Sequence, residues 1–164
     1  MNDIYFMNEA IKEAMKARDL MEIPIGAVVV RDNEIIGRGY NKKETGNDAT
    51  SHAEIIAIRE ACKNIGAWRL LDCTMYVTLE PCAMCAGALV NARIDRVVIA
   101  TKDEKTGACG TVLNIAQNKS LNHQIELEFG VCEEECRSIL QEFFINLRDF
   151  KRRNKTKKDA DAEN

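Results

Sequence analysis

Leu79-Glu80-Pro81-Cys82-Ala83-Met84-Cys85, read with His52-Ala53-Glu54 upstream, holds three side chains of metal-ligating type and one spare carboxylate. Two cysteines three residues apart at the start of a helix project from neighbouring positions on one helical face. A histidine near the start of another helix can complete a three-ligand site, leaving a fourth position for water. That is the pattern of a catalytic zinc, whereas a structural zinc usually has all four positions closed by protein. Glu54 could then move protons for the water, so the chemistry implied is hydrolysis.

Each half of this pattern has an ordinary alternative. Ser51-His52-Ala53-Glu54 fits a capping box, with Ser51 and Glu54 satisfying free N–H groups at a helix start. Cys82 and Cys85 could be small buried residues, or a redox pair whose thiol pKa is lowered by a helix N-terminus. The two halves together favour zinc, because each lies where chain feeds a helix N-terminus, and positive helix ends favour thiolates. Cys132 and Cys136 read as helix-packing thiols, Cys62 and Cys73 as core, Cys109 as a small loop residue, and His123 as a loop-bonded imidazole.

The elements that must position these groups follow from hydropathy. Ile4, Met7, Ile11, Ala14 and Met15 recur at helical spacing, so residues 3–19 read as an amphipathic helix. Residues 26–30 and 34–40 flank the turn Asp32-Asn33 as a hairpin. Residues 41–51 are a polar loop, and a helix follows from His52 to about Asn64. Residues 73–79 form a third strand, and Pro81 suits the first turn of a helix running to about Asn91. Residues 96–100 and 125–129 are further strands, and a last helix covers about Glu133–Lys151. Strands alternating with helices indicate one α/β layered domain, spanning residues 1–153.

Composition sets outer bounds. The chain has 164 residues, enough for one sizeable core, and no apolar run of membrane-spanning length. Its start lacks a basic segment followed by a hydrophobic one, and seven cysteines is an odd number, so a reduced, cytoplasmic protein is expected. Charge is uneven: residues 151–164 carry +3 and the remainder −6. Residues 154–164 read as a charged, flexible tail or as a basic arm that meets phosphates.

His-x-Glu followed by Pro-Cys-x-x-Cys is the signature of the zinc deaminases of nucleobases. Beyond it, the chain resembles the bacterial tRNA-specific adenosine deaminases from about Tyr5 to Arg153. The resemblance rests on Pro24-Ile25-Gly26-Ala27-Val28, on residues 52–55 and 76–88, on Arg93-Ile94-Asp95-Arg96-Val97-Val98, on residues 103–108 and on Asn122-His123. It implies a cytidine-deaminase-like, three-layer α/β/α fold with a five-stranded mixed sheet. It implies hydrolysis of adenosine to inosine at the wobble position of a tRNA anticodon by zinc-bound hydroxide, in a homodimer. By position, His52, Cys82 and Cys85 would hold one Zn2+ per subunit, with Glu54 as proton shuttle. Asn41 matches a residue contacting the inserted base, Asp103, Lys105 and Asn122 match loop positions around the anticodon nucleotides, and Arg148 matches a position near the RNA backbone. A free-base or nucleoside deaminase of guanine or cytosine type would share the zinc chemistry. A zinc-stabilised RNA-binding module without catalysis would not need Glu54.

Overall fold

The computed structural model describes residues 2–162. In chain order the elements are α1 (Asp3–Asp19), β1 (Gly26–Arg31), β2 (Glu34–Tyr40), α2 (Ala53–Ile65), β3 (Thr74–Leu79), α3 (Ala83–Asn91), β4 (Arg96–Thr101), β5 (Glu126–Phe129) and α4 (Glu133–Ala162). The strands form one sheet in the order β2-β1-β3-β4-β5. β1 is antiparallel to both neighbours, while β3, β4 and β5 run parallel. All strands except β1 therefore point the same way. One edge of the sheet collects the chain leaving β2, β3, β4 and β5 together with the chain entering β1.

Alternation along the strands sorts side chains onto two faces. Ala27, Val29, Met75, Val77, Val97 and Ile99 pack with α2 and α3 residues such as Ala57, Ala86 and Leu89. Val28, Val30, Tyr76, Val98 and Ala100 pack with Phe6, Met7 and Ile11 of α1 and Cys136 of α4. The result is the expected α/β/α sandwich about a mixed sheet. Two glycines of β2 set how low α2 lies on it. A Cβ on Gly39 would sit 2.2 Å from the Ala53 carbonyl oxygen, and one on Gly37 would sit 2.3 Å from that of Ala57. Any larger residue would lift α2, and His52 with it, off the sheet.

Two expectations change. Pro81 does not enter the first turn of α3; it precedes Cys82, which is the N-cap. The last helix does not stop near Lys151 but continues to Ala162, so residues 154–162, expected as a tail, are helical and exposed. No proline or glycine follows Gly130, and lysine and arginine are good helix formers, so nothing in the sequence stops the helix. Glu163 and Asn164, the end of that tail, lie outside the described residues. No described helix is long and apolar enough to cross a membrane.

The N-terminus of α1 is tied to the sheet by charge. Arg96 of β4 donates to both carboxylate oxygens of Asp3, at 3.0 and 2.9 Å, and also pairs with Glu128 of β5. The Tyr76 hydroxyl donates to Asp3 at 2.7 Å. The bidentate Arg96 bond holds the Asp3 carboxyl below its ordinary value of 3.8, against the opposing effect of burial, with the Tyr76 bond adding to the lowering. A depressed carboxylate contributes stability that is full above the unfolded pKa and is lost as pH falls through the folded one. Native protein should therefore exceed Asp3→Asn in stability above pH ~4, and the gap should close as pH falls further. Denaturant unfolding of both proteins across that range measures it; a gap that widens on acidification would contradict the assignment.

Candidate metal centre and its pocket

His52 and Cys82 are the N-cap residues of α2 and α3, both with extended backbone and neither making a side-chain capping bond. An N-cap side chain ordinarily turns back to a free N–H of the first turn. Here both are turned instead towards each other. His52 Nδ1 lies 3.6 Å from the Sγ of Cys82 and 3.6 Å from the Sγ of Cys85. All three donor atoms fall within 4.8 Å of one another, so together they can hold a metal ion. Ser51 does not form the alternative capping box, because His52 is the N-cap and the Ser51 hydroxyl donates to Asp48 at 2.8 Å.

The electrostatics suit a cation. Cys82 is held as a thiolate, its pKa lowered to about 4 by hydrogen bonds from Cys85 first and His52 second, against the effect of burial. The Cys85 thiol is pushed up because it donates to Cys82 and is buried. The His52 imidazole is raised by its bond to Cys82. Glu54, in the first turn of α2 and 4% exposed, is pushed up to about 7 by burial, with the Cys82 charge adding to the effect. A carboxyl with that affinity can both accept and release a proton near neutral pH.

These groups lie in a pocket of about 660 Å³ at the sheet edge where β2, β3 and β4 end. Asn41, Asp103 and Lys105 line it, as do His52, Glu54 and Cys82. Asn41 is buried; its Oδ1 accepts from the Lys43 N–H at 3.2 Å and its Nδ2 donates to the Ile23 carbonyl at 3.4 Å. Asp103 accepts from the N–H groups of Lys105 and Thr106 and from the Thr106 hydroxyl, a turn-closing arrangement. Asn122 and Arg148 are exposed and are not brought into the pocket. His123 bonds the Ile94 carbonyl, and all seven cysteines are free thiols.

The far wall comes from α4, through Arg137, Gln141 and Phe144, the first two of which sequence reading passed over. Phe143 and Phe144 are adjacent on a helix and so point about 100° apart. Phe143 takes the core and Phe144 faces the pocket, 40% exposed.

Comparison with known proteins decides the family. The MafB19-like deaminase family matches residues 1–148. A tRNA-specific adenosine deaminase of Bacillus subtilis is 51% identical over 150 residues, covering 92% of this chain and 93% of that one. The chain belongs to the MafB19-like deaminase family, and to the family of these tRNA-specific adenosine deaminases. A Haemophilus influenzae relative of the same description is 47% identical over 92% of this deaminase and 87% of its own length. Among solved structures, a tRNA:A34 deaminase studied for A-to-I editing at the wobble position has a TM-score of 0.80 at 41% identity, over 83% of this deaminase and 99% of that chain. A guanine deaminase of Bacillus subtilis has a TM-score of 0.59 at 44% identity, over 62% of this deaminase and 66% of that chain.

The diversion of the N-caps has a measurable consequence. Were Ser51 the cap of α2, Ser51→Ala would lower Tm by about 2–4 °C. Since its hydroxyl serves Asp48 outside the helix, the expected change is within about 1 °C. Thermal unfolding of the metal-loaded variant reads the difference; a drop in the larger range would return Ser51 to the capping role.

Proposed function

We propose that the protein hydrolyses adenosine to inosine at the wobble position of a tRNA anticodon, with one zinc per subunit. The observation that carries this reading is the unligated carboxyl of Glu54 beside the His52, Cys82 and Cys85 cluster, on the floor of a pocket of nucleotide size. The kinship with tRNA-specific adenosine deaminases supports adenine in tRNA as the target.

Zinc suits the donor set. With Zn–N of about 2.0–2.1 Å and Zn–S of about 2.3 Å, a tetrahedral N···S edge is about 3.6 Å long. Both His52-to-cysteine separations are 3.6 Å, and a mixed thiolate–imidazole set favours zinc over the harder divalent cations. His52, Cys82 and Cys85 would hold the ion, which supplies a Lewis acid that makes water nucleophilic near neutral pH.

The remaining work falls to the chain. A Glu54 oxygen takes the proton of the attacking water as the new C–O bond forms at C6, and delivers it to the ring nitrogen N1. It then moves the remaining proton of the new C6 hydroxyl to the amino group, so that the C–N bond breaks, ammonia leaves and the C6 oxygen becomes the carbonyl of inosine. Burial keeps Glu54 out of bulk water, which favours transfer to substrate over exchange with solvent. The Asn41 amide orients the inserted base, and the loop of Asp103 and Lys105 borders the neighbouring nucleotides. Asn122 and Arg148, outside the pocket, would meet the flanking RNA, and the basic end of α4 supplies further cations for phosphates. A homodimer in the cytoplasm belongs to the same reading.

The likeness to a guanine deaminase favours a second reading, a free-base deaminase using the same chemistry. An anticodon stem-loop, free adenosine, guanine and cytidine, each incubated with the zinc-loaded protein, should separate them by ammonia release. Turnover of the stem-loop alone is expected, and turnover of a free base without the stem-loop would replace the tRNA reading.

Substitution separates metal from proton transfer. Glu54→Ala should keep about one zinc per chain by elemental analysis and lose activity by about a hundredfold or more. Cys82→Ala should lose the zinc itself. Full activity in the Glu54 variant would remove that residue from the mechanism.

A further inference from the structure

We propose that Glu22 and Glu80 are positioning residues, two buried carboxylates that pin the loops walling the pocket on either side of the metal centre. Glu22 lies in the chain entering β1 and Glu80 in the chain leaving β3, at the same sheet edge. They are 1% and 2% exposed. Neither forms an ion pair among the described residues.

Their bonding is alike. Glu22 Oε1 accepts from the Thr45 backbone N–H at 2.5 Å, and Glu80 Oε1 accepts from the Thr111 hydroxyl at 2.5 Å. Each Oε2 is buried without a hydrogen-bond partner among the described residues, and these are the two side-chain atoms so placed. Burying a carboxyl group with half its bonding unmet is costly, so each must secure something a side chain without an acceptor would not. What each reaches is a loop of the pocket. Thr45 belongs to residues 41–51, which carry Asn41 and Lys43 and lead into His52; Thr111 belongs to residues 102–113, which carry Asp103 and Lys105.

Both loops otherwise bond largely to themselves. In the first, Gly46 and Asp48 donate to Lys42 and Lys43, and Ser51 donates to Asp48. In the second, Gly107 donates to Asp103, and Val112 and Leu113 donate to Gly107. The second packs closely on its carboxyl group: a Cβ on Gly107 would meet Glu80 Oε2 and would also come within 2.5 Å of the Asp103 carbonyl oxygen, so a larger residue would displace one or the other. Each loop is thus largely self-bonded; Asn41 ties the first to the Ile23 and Ile25 carbonyls and Ala108 ties the second to the Pro81 carbonyl, and further along each loop a buried carboxylate supplies an added acceptor. Since these loops border the base and its neighbours, the carboxylates set substrate affinity rather than the chemical step; this part rests on the function proposed above.

The test uses full-length, zinc-loaded protein carrying Glu22→Ala, Glu22→Gln or Thr111→Val. Glutamine keeps the acceptor oxygen, and valine removes only the Thr111 donor at nearly constant shape. In Glu22→Ala, amide hydrogen exchange at Thr45 should quicken about tenfold or more, and Glu22→Gln should restore it to within about threefold of wild type. Glu22→Ala and Thr111→Val should each raise KM for the anticodon stem-loop about tenfold and leave kcat within about threefold. If Glu22→Ala does not fold, Glu22→Gln against wild type at Thr45 and Thr111→Val in the KM measurement decide. Unchanged Thr45 exchange, glutamine behaving as alanine, or lost kcat at constant KM would overturn the proposal. If wild type leaves the stem-loop untouched, the functional reading fails, and exchange at Thr45, with that of the 102–113 amides in Thr111→Val, decides the positioning role.

Discussion

Two helices must begin at one point for the donor cluster of this protein to form. The N-cap residues of α2 and α3 bring a histidine nitrogen to within 3.6 Å of two cysteine sulfurs, and neither helix can shift without opening that gap. Most of the fold on that side of the sheet exists to hold them there. α2 lies low because Gly37 and Gly39 have no Cβ to raise it. α3 connects the paired parallel strands β3 and β4, so its start is fixed by the end of β3. The convergence also favours the thiolate at Cys82, since it brings the Cys85 thiol and the His52 imidazole within hydrogen-bonding reach of that sulfur.

The opposite face of the sheet carries none of this chemistry but determines how well it is supported. α1 is packed on Val28, Val30 and Tyr76 and is bound at its start by the Asp3–Arg96–Glu128 group, which links it to β4 and β5. α4 begins on that face, then runs past the sheet edge, where Phe144 closes the pocket. One long helix thus serves both as core and as wall. The two roles fall on two faces of the same stretch, with Cys136 and Phe143 buried and Arg137, Gln141 and Phe144 lining the pocket.

Much of this architecture is written into the chain at short range. β1, β3 and β4 are legible as apolar, β-branched runs, β5 by its alternation of apolar and polar residues, and α1 because its apolar residues recur at helical spacing. His52, Glu54, Cys82 and Cys85 are legible as a set because their residue types have a joint use that neither half has alone. Other features depend on tertiary placement and leave no local trace. Ser51 fits a capping box by sequence, and only the fold shows that its hydroxyl serves Asp48. Past Lys151, α4 has no buried face, so no periodic pattern marks its end at Ala162. Glu22 and Glu80 are ordinary acidic residues until their burial is known, although a charge at the end of an apolar strand, as at Glu80, is a detectable irregularity.

The single reversed strand, β1, makes the pocket unusual in its construction. In a sheet of parallel strands, every loop at the ligand-binding edge leaves a strand. Because β1 runs backwards between β2 and β3, the chain that enters it crosses the same edge and brings Ile23 and Ile25 into the pocket wall. That wall hangs from the end of α1, on the face of the sheet away from His52, Cys82 and Cys85. Variation in residues 20–25 can therefore reshape the pocket while α2 and α3 stay as they are. The shape of the pocket and its donor cluster are set by separate stretches of the chain.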